Sequence, residues 1–225
     1  MNSTLASLLP FIIGSAVVPL QIIVVTLLLT SERRGPLKAI AFVLGMTVAR
    51  LAQGVLFGWV LTGGSGDPAD ADSSSVVKAT VLTVLGLLLL ITAYKTWAKE
   101  PDPDAPPPKW LTMLESITPA KALLFGAGFV LIGPKLWVFI LGAISTIGEA
   151  QLGQPASTWM FLLFVLLAQS LLLVLILIRL LVPQRAKSLL ASLAGWLKRY
   201  NDPIVIAISL IFGALFLYQG VSAFF

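Results

Sequence analysis

Two cations, Arg50 and Lys135, stand in the middle of long apolar segments, and every acidic residue of the chain lies in a connecting segment or at a segment end. Lys135 is 14 residues from both Lys121 and Glu149, about 21 Å from either end of its helix at 1.5 Å per residue. A lysine stem does not reach that far to water, so its ammonium must face protein or a hydrated cavity. Arg50 follows Lys38 by 12 residues and has Thr47, Gln53 and Gly54 close to the same helix face. Buried charge without a partner is expensive, so something must compensate it: water, carbonyls freed at a helix break, or an anionic ligand. The chemistry these residues suit is the binding of an anion at mid-depth, with Gln21, Gln53 and Gln169 as hydrogen-bonding neighbours. A plainer reading is that both cations cap carbonyls freed by nearby prolines, and that each glutamine makes an ordinary interhelical bond.

The prolines are Pro19, in GSAVVPLQIIVV, and Pro134, in AGFVLIGPKLWVFI. Each interrupts an apolar run, because proline removes a ladder donor and clashes with the preceding turn. Aligning Pro19 with Pro134 sets Gln21 one residue past the position of Lys135. Gly133 precedes the second break, and Trp137, too deep for an interfacial belt, is a candidate cavity residue. Paired interruptions in two halves of a chain are the sequence pointer to a transporter's binding site.

These residues must be carried by membrane helices. The chain has 225 residues, is 58% hydrophobic and only 11% charged, with a formal net charge of +5; a soluble domain of this size would need far more charge. With neither cysteine nor histidine, disulfide, thiol redox and imidazole metal chemistry are excluded. No cofactor, metal or nucleic-acid partner is expected. No nucleophile or acid-base pair can be assembled at membrane depth, so the chain does not read as an enzyme.

Six segments are long enough to span: 5–30, 38–61, 76–94, 121–147, 158–182 and 203–223. Of the fifteen basic residues, most sit in the first, third and fifth connections, which makes those loops cytoplasmic and sends both termini outward. Three spans per half also give the second half the opposite orientation. LAQG at Leu51–Gly54 recurs as LAQS at Leu167–Ser170, and GLLLLITAY from Gly86 is echoed by GALFLYQG from Gly213. The expected fold is an all-α polytopic membrane protein of six transmembrane helices, two inverted three-helix repeats with proline-broken helices 1 and 4. Residues 1–98 form the first repeat, 99–116 a Pro/Asp-rich cytoplasmic linker, and 117–225 the second repeat. Within the latter, residues 185–200 place Leu189, Leu190, Leu193, Trp196 and Leu197 at helical spacing between basic ends, as in an interfacial amphipathic helix; a plain cytoplasmic elbow fits the same pattern. Gly54 and Gly58 form a packing notch, which a homodimer could use.

ITPAKALLFGAG at Ile117–Gly128, GPKLW at Gly133–Trp137, PLQIIVVTLLL at Pro19–Leu29 and the run from Arg34 to Ala49 together resemble the peptidoglycolipid-addressing and sulfolipid-addressing (GAP, Sap) protein family, within the lysine-exporter (LysE) superfamily of six-span proteins. An asparagine commonly precedes the family's Pro-Lys pair, where this chain has Gly133. The resemblance implies export of large lipids, often glycolipids, across a bacterial plasma membrane.

The reading is therefore a transporter of an anionic lipid or glycolipid, the headgroup held by Lys135 and Arg50. The alternatives are a small-solute, amino-acid-like exporter and a non-transporting adaptor for a lipid export complex.

Overall fold

A computed structural model describes residues 2–61, 71–99, 113–114 and 116–222. Most of the expected 99–116 linker and much of the second connection lie outside the described residues. So do the side chains of residues 2, 59–61, 71–75, 77, 78, 81, 134, 135 and 187, which include the two expected site residues Pro134 and Lys135.

The described residues form the helices α1 (Asn2–Ala16), α2 (Pro19–Thr30), α3 (Gly35–Leu61), α4 (Ala71–Trp97), α5 (Pro119–Ile132), α6 (Pro134–Glu149), α7 (Ala156–Ala168), α8 (Ser170–Leu181) and α9 (Pro183–Ser222). α3 and α9 are long and apolar enough to cross a membrane by themselves. Three further spans result if the bent pairs α1–α2, α5–α6 and α7–α8 each cross once.

The first two bends follow from local chemistry. Pro19 and Pro134 occupy the first position of α2 and α6, where a missing N–H costs nothing. The residue before each is pushed out of the helical region: Val18 has φ −63° and ψ 112°, Gly133 φ −80° and ψ 94°. The halves diverge by 54° and 71°. The third bend, 53° at Gln169, has no proline. There the Gln169 N–H bonds Leu166 O, three residues back, and the regular ladder resumes with Leu173 N–H to Gln169 O. The segment 158–182, expected as one continuous helix, is thus broken.

Residues 185–200 and the last span, expected as separate elements, are one helix of 40 residues that passes through Pro203. Packing on both sides of the proline explains the continuity: Leu197 joins one hydrophobic cluster and Phe216 the other. The amphipathic stripe is also shifted. Ala186, Leu190, Ala194 and Leu197 are buried, whereas Leu189 and Trp196 are exposed.

Those two clusters divide α1–α2 and α7–α8 at their bends and α5–α6 just beyond its bend, after Leu136. One cluster holds residues of α2, α3, α5, α8 and the first half of α9, with Leu114, Ile117 and, from α6, Leu136; the other holds residues of α1, α4, α7, the rest of α6 and Phe216 of α9. The contact between α3 and α5 is glycine-mediated. A Cβ on Gly45 would strike the Leu123 carbonyl, and one on Gly126 the Phe42 carbonyl. Large apolar side chains left exposed, such as Val48, Val55, Leu124, Leu177 and Ile211, suit contact with acyl chains. Tyr94, Trp97, Trp159 and Tyr218 are exposed too, as interfacial anchors would be.

Candidate functional site

Between the two clusters lies a layer of buried polar side chains: Ser15, Gln21, Arg50, Gln53 and Gln169, each no more than 3% exposed. α3 crosses it unbroken, and residues 47, 50, 53–54 and 57 follow one another along one stripe of that helix. Thr47, Arg50, Gly54 and Phe57 of the stripe each meet one of the bends or a helix beside it.

At the first bend, α1 ends with carbonyls that proline leaves without donors. Gln21, two residues past Pro19, turns back and donates Nε2 to Ser15 O at 2.5 Å and Ala16 O at 3.4 Å. Arg50 Nη2 donates to the Ser15 hydroxyl at 3.1 Å. Ser15 therefore joins Gln21 to Arg50, one group through its carbonyl and the other through its side chain.

At the second bend the equivalent cap is aromatic. Trp137, three residues past Pro134, donates Nε1 to Val130 O and Leu131 O, both at 3.1 Å. Its ring meets Phe57 of α3 edge-on, with centroids 5.4 Å apart. The indole, expected to line a cavity, thus closes the end of α5. Lys135 lies by its backbone in the first turn of α6, directly after Gly133.

At the third bend, Gln169 Nε2 donates to Thr47 Oγ1 at 3.0 Å, and the Thr47 hydroxyl donates to Val43 O at 2.8 Å. Gln169 also reaches Val165 O at 3.4 Å. Gly54 accepts the Phe161 ring of α7 in a space that a Cβ would fill, whereas a Cβ at Gly58 would meet nothing within 4 Å. Of the expected packing notch, Gly54 alone is filled by a neighbouring side chain.

The structure brings Gln21, Arg50, Gln53 and Gln169 into one layer, with Pro19 at its edge. Gly133, Pro134 and Lys135 lie by backbone at the break between α5 and α6, two helices on which α3 packs. Ser15 escaped sequence reasoning; its only signal was a hydroxyl four residues before a helix-breaking proline. The carbonyls at the two proline breaks are capped by Gln21 and Trp137, and Arg50 instead bonds a hydroxyl.

The layer is incompletely satisfied. Gln21 Oε1, Arg50 Nη1 and both amide atoms of Gln53 are buried and have no hydrogen-bond partner among the described residues. A buried unpaired polar group costs about 1–3 kcal/mol and more when charged. The N-termini of α2, α6 and α8 lie at the three bends, and none has a side-chain cap. Their free N–H groups and dipoles add positive potential to that of Arg50. Among the described residues, no group of three or more His, Cys, Asp and Glu side chains could hold a metal. A separate open apolar groove of about 460 Å³, lined by Leu90, Ala214, Leu217, Tyr218, Val221 and Ser222, shares no residue with the layer.

Apolar helices, exposed aliphatic faces and a buried, electropositive polar layer at helix breaks define an all-helical membrane protein. The sequence matches the family described as Sap, sulfolipid-1-addressing protein, over residues 8–222, and the chain belongs to that family. No curated protein and no solved structure matches it.

Proposed function

We propose that this protein translocates or exports an anionic lipid or glycolipid across the bacterial plasma membrane, holding the headgroup in the polar layer while the acyl chains stay in the bilayer. The observation that carries the reading is Arg50: a guanidinium 3% exposed, bonded on one side to Ser15 and unpartnered on Nη1, with no carboxylate beside it among the described residues. An anionic headgroup would neutralise that charge and fill the donors left open beside it. The second cation of the reading is Lys135, whose backbone lies in the first turn of α6. The family's name for a sulfolipid supports a lipid cargo.

The architecture of the reading is six spans in two inverted repeats with both termini outside. Its support is positional. Pro19 and Pro134 both start half-helices, and Gln53 and Gln169, matched by LAQG and LAQS, both sit in the polar layer. Gly86 and Gly213, also matched, meet each other: a Cβ on either would approach the other's carbonyl. Reciprocal contact between equivalent residues is what a two-fold axis produces. Half-helix N-termini aimed at an anion are likewise a transporter device.

The protein works in this reading as a transporter, and the described residues of the layer offer amides, hydroxyls and a guanidinium, groups suited to holding a headgroup. A small-solute exporter would use the same cations, with transport independent of lipid. The test is headgroup translocation by the full chain in proteoliposomes, comparing wild type with the Lys135→Ala, Arg50→Ala double variant. Loss of translocation with the helical content unchanged is the expected result; unchanged translocation contradicts the proposal.

A further inference from the structure

The unpartnered atoms of the layer include acceptors as well as donors, and the two kinds select differently. Gln21 donates Nε2 to two carbonyls, which fixes the orientation of its amide and leaves Oε1 as an acceptor without a donor among the described residues. Gln53 has both amide atoms unpartnered among the described residues, so it offers a donor group and an acceptor group whichever way the amide is turned. Arg50 Nη1 adds donors only. Gln53 lies one turn from Arg50 on the same stripe of α3, and Gln21 shares Ser15 with Arg50, which sets both amides next to the guanidinium's surroundings.

A bare anion presents acceptor oxygens alone. It would satisfy Arg50 Nη1 and the Gln53 N–H groups, leave the Gln21 and Gln53 amide oxygens unmet, and bring negative charge towards them. A ligand whose donors are ammonium groups would meet those oxygens, but would set positive charge beside Arg50 and three helix N-termini. The chemistry that fits both sets is a negative charge with neutral O–H donors on neighbouring atoms.

The geometry points to Gln53, supported by Gln21, as the specificity-determining residue of the site, requiring a hydroxyl donor beside the anionic group that Arg50 holds. This rests on the reading of Arg50 as an anion site. Gln53 discriminates because a ligand without the hydroxyl leaves a buried amide oxygen unpaired, a loss that translates to about tenfold or more in affinity.

Native mass spectrometry of the full chain in detergent tests it, titrating dioleoylphosphatidylglycerol against dioleoylphosphatidylethanol. The two share charge and acyl chains, and only the first carries headgroup hydroxyls. Wild type is expected to bind phosphatidylglycerol about tenfold more tightly. Gln53→Met is expected to bring the ratio to within about twofold by weakening the hydroxylated lipid alone, and Arg50→Gln to weaken both. Equal wild-type affinities overturn the assignment to Gln53, a comparison that needs no variant to fold; the anion site survives that result if Arg50→Gln still weakens both. Affinities unaffected by Arg50→Gln overturn the anion site itself. Glycerol phosphate serves as the soluble probe: its binding where neither lipid binds keeps the hydroxyl requirement and assigns a water-soluble solute, and no binding of any of the three overturns the assignment.

Discussion

The two proline breaks solve one problem in different ways. Each exposes carbonyls at the end of a half-helix, and each is closed by a side chain two or three residues beyond the proline. At the first break the closing group is an amide, Gln21, fully buried and tied through Ser15 to Arg50. At the second it is an indole, Trp137, braced against Phe57 and partly exposed. An amide leaves an oxygen over, which is available to a ligand; an indole has no acceptor to offer and presents an apolar face. In the proposed function the first break faces the polar headgroup and the second walls it in. Pro10 and Pro203 sharpen the point, since both lie inside helices that continue through them. A proline alone did not decide where the chain bends.

The comparison can be broken most severely at Arg50. Arg50→Ala should reduce anionic-lipid binding by about a hundredfold, as loss of a charge-assisted contact in a buried site does, measured by lipid titration of the purified protein. The corresponding change at the second break, Trp137→Ala, should leave that affinity within a few-fold. Gln21→Leu should come next, through stability: two buried carbonyls lose their donor, and about 1–3 kcal/mol should appear as a lowered thermal midpoint in detergent. Trp137→Phe keeps the ring against Phe57 and removes only the N–H, from a cap that is partly exposed, so its cost should be smaller, about 1 kcal/mol in the same experiment. Thr47→Val should have the smallest effect, about 0.5–1 kcal/mol, since Gln169 retains its bond to Val165 O. A Trp137→Phe variant less stable than Gln21→Leu would reverse the ranking of the two caps.

Much of this arrangement was legible in the sequence because proline and charge are loud signals in an apolar chain. Pro19 and Pro134 marked two of the three bends, and Arg50, Gln21, Gln53 and Gln169 stood out because a polar residue at membrane depth needs a reason. The bend at Gln169 was not legible, since no breaker residue marks it; Gln169 bonds Thr47 there, a contact between residues far apart in sequence. Ser15 was invisible for a similar reason, a small hydroxyl whose value lies in what it touches. The continuity of α9 was obscured by Asn201, Asp202 and Pro203, a run of turn-forming residues overridden by burial on both sides. Along residues 185–200 the helical period was correct but the buried face was offset, because alanines at 186 and 194 pack where larger side chains were expected.

The central claim is that the mid-membrane cations hold an anionic headgroup. Native mass spectrometry of the protein as purified in detergent addresses it directly, comparing the lipids retained by wild type with those retained by the Lys135→Ala, Arg50→Ala double variant. Retention by wild type of a specific anionic lipid that the variant loses is the predicted result; the same lipids on both proteins would contradict it.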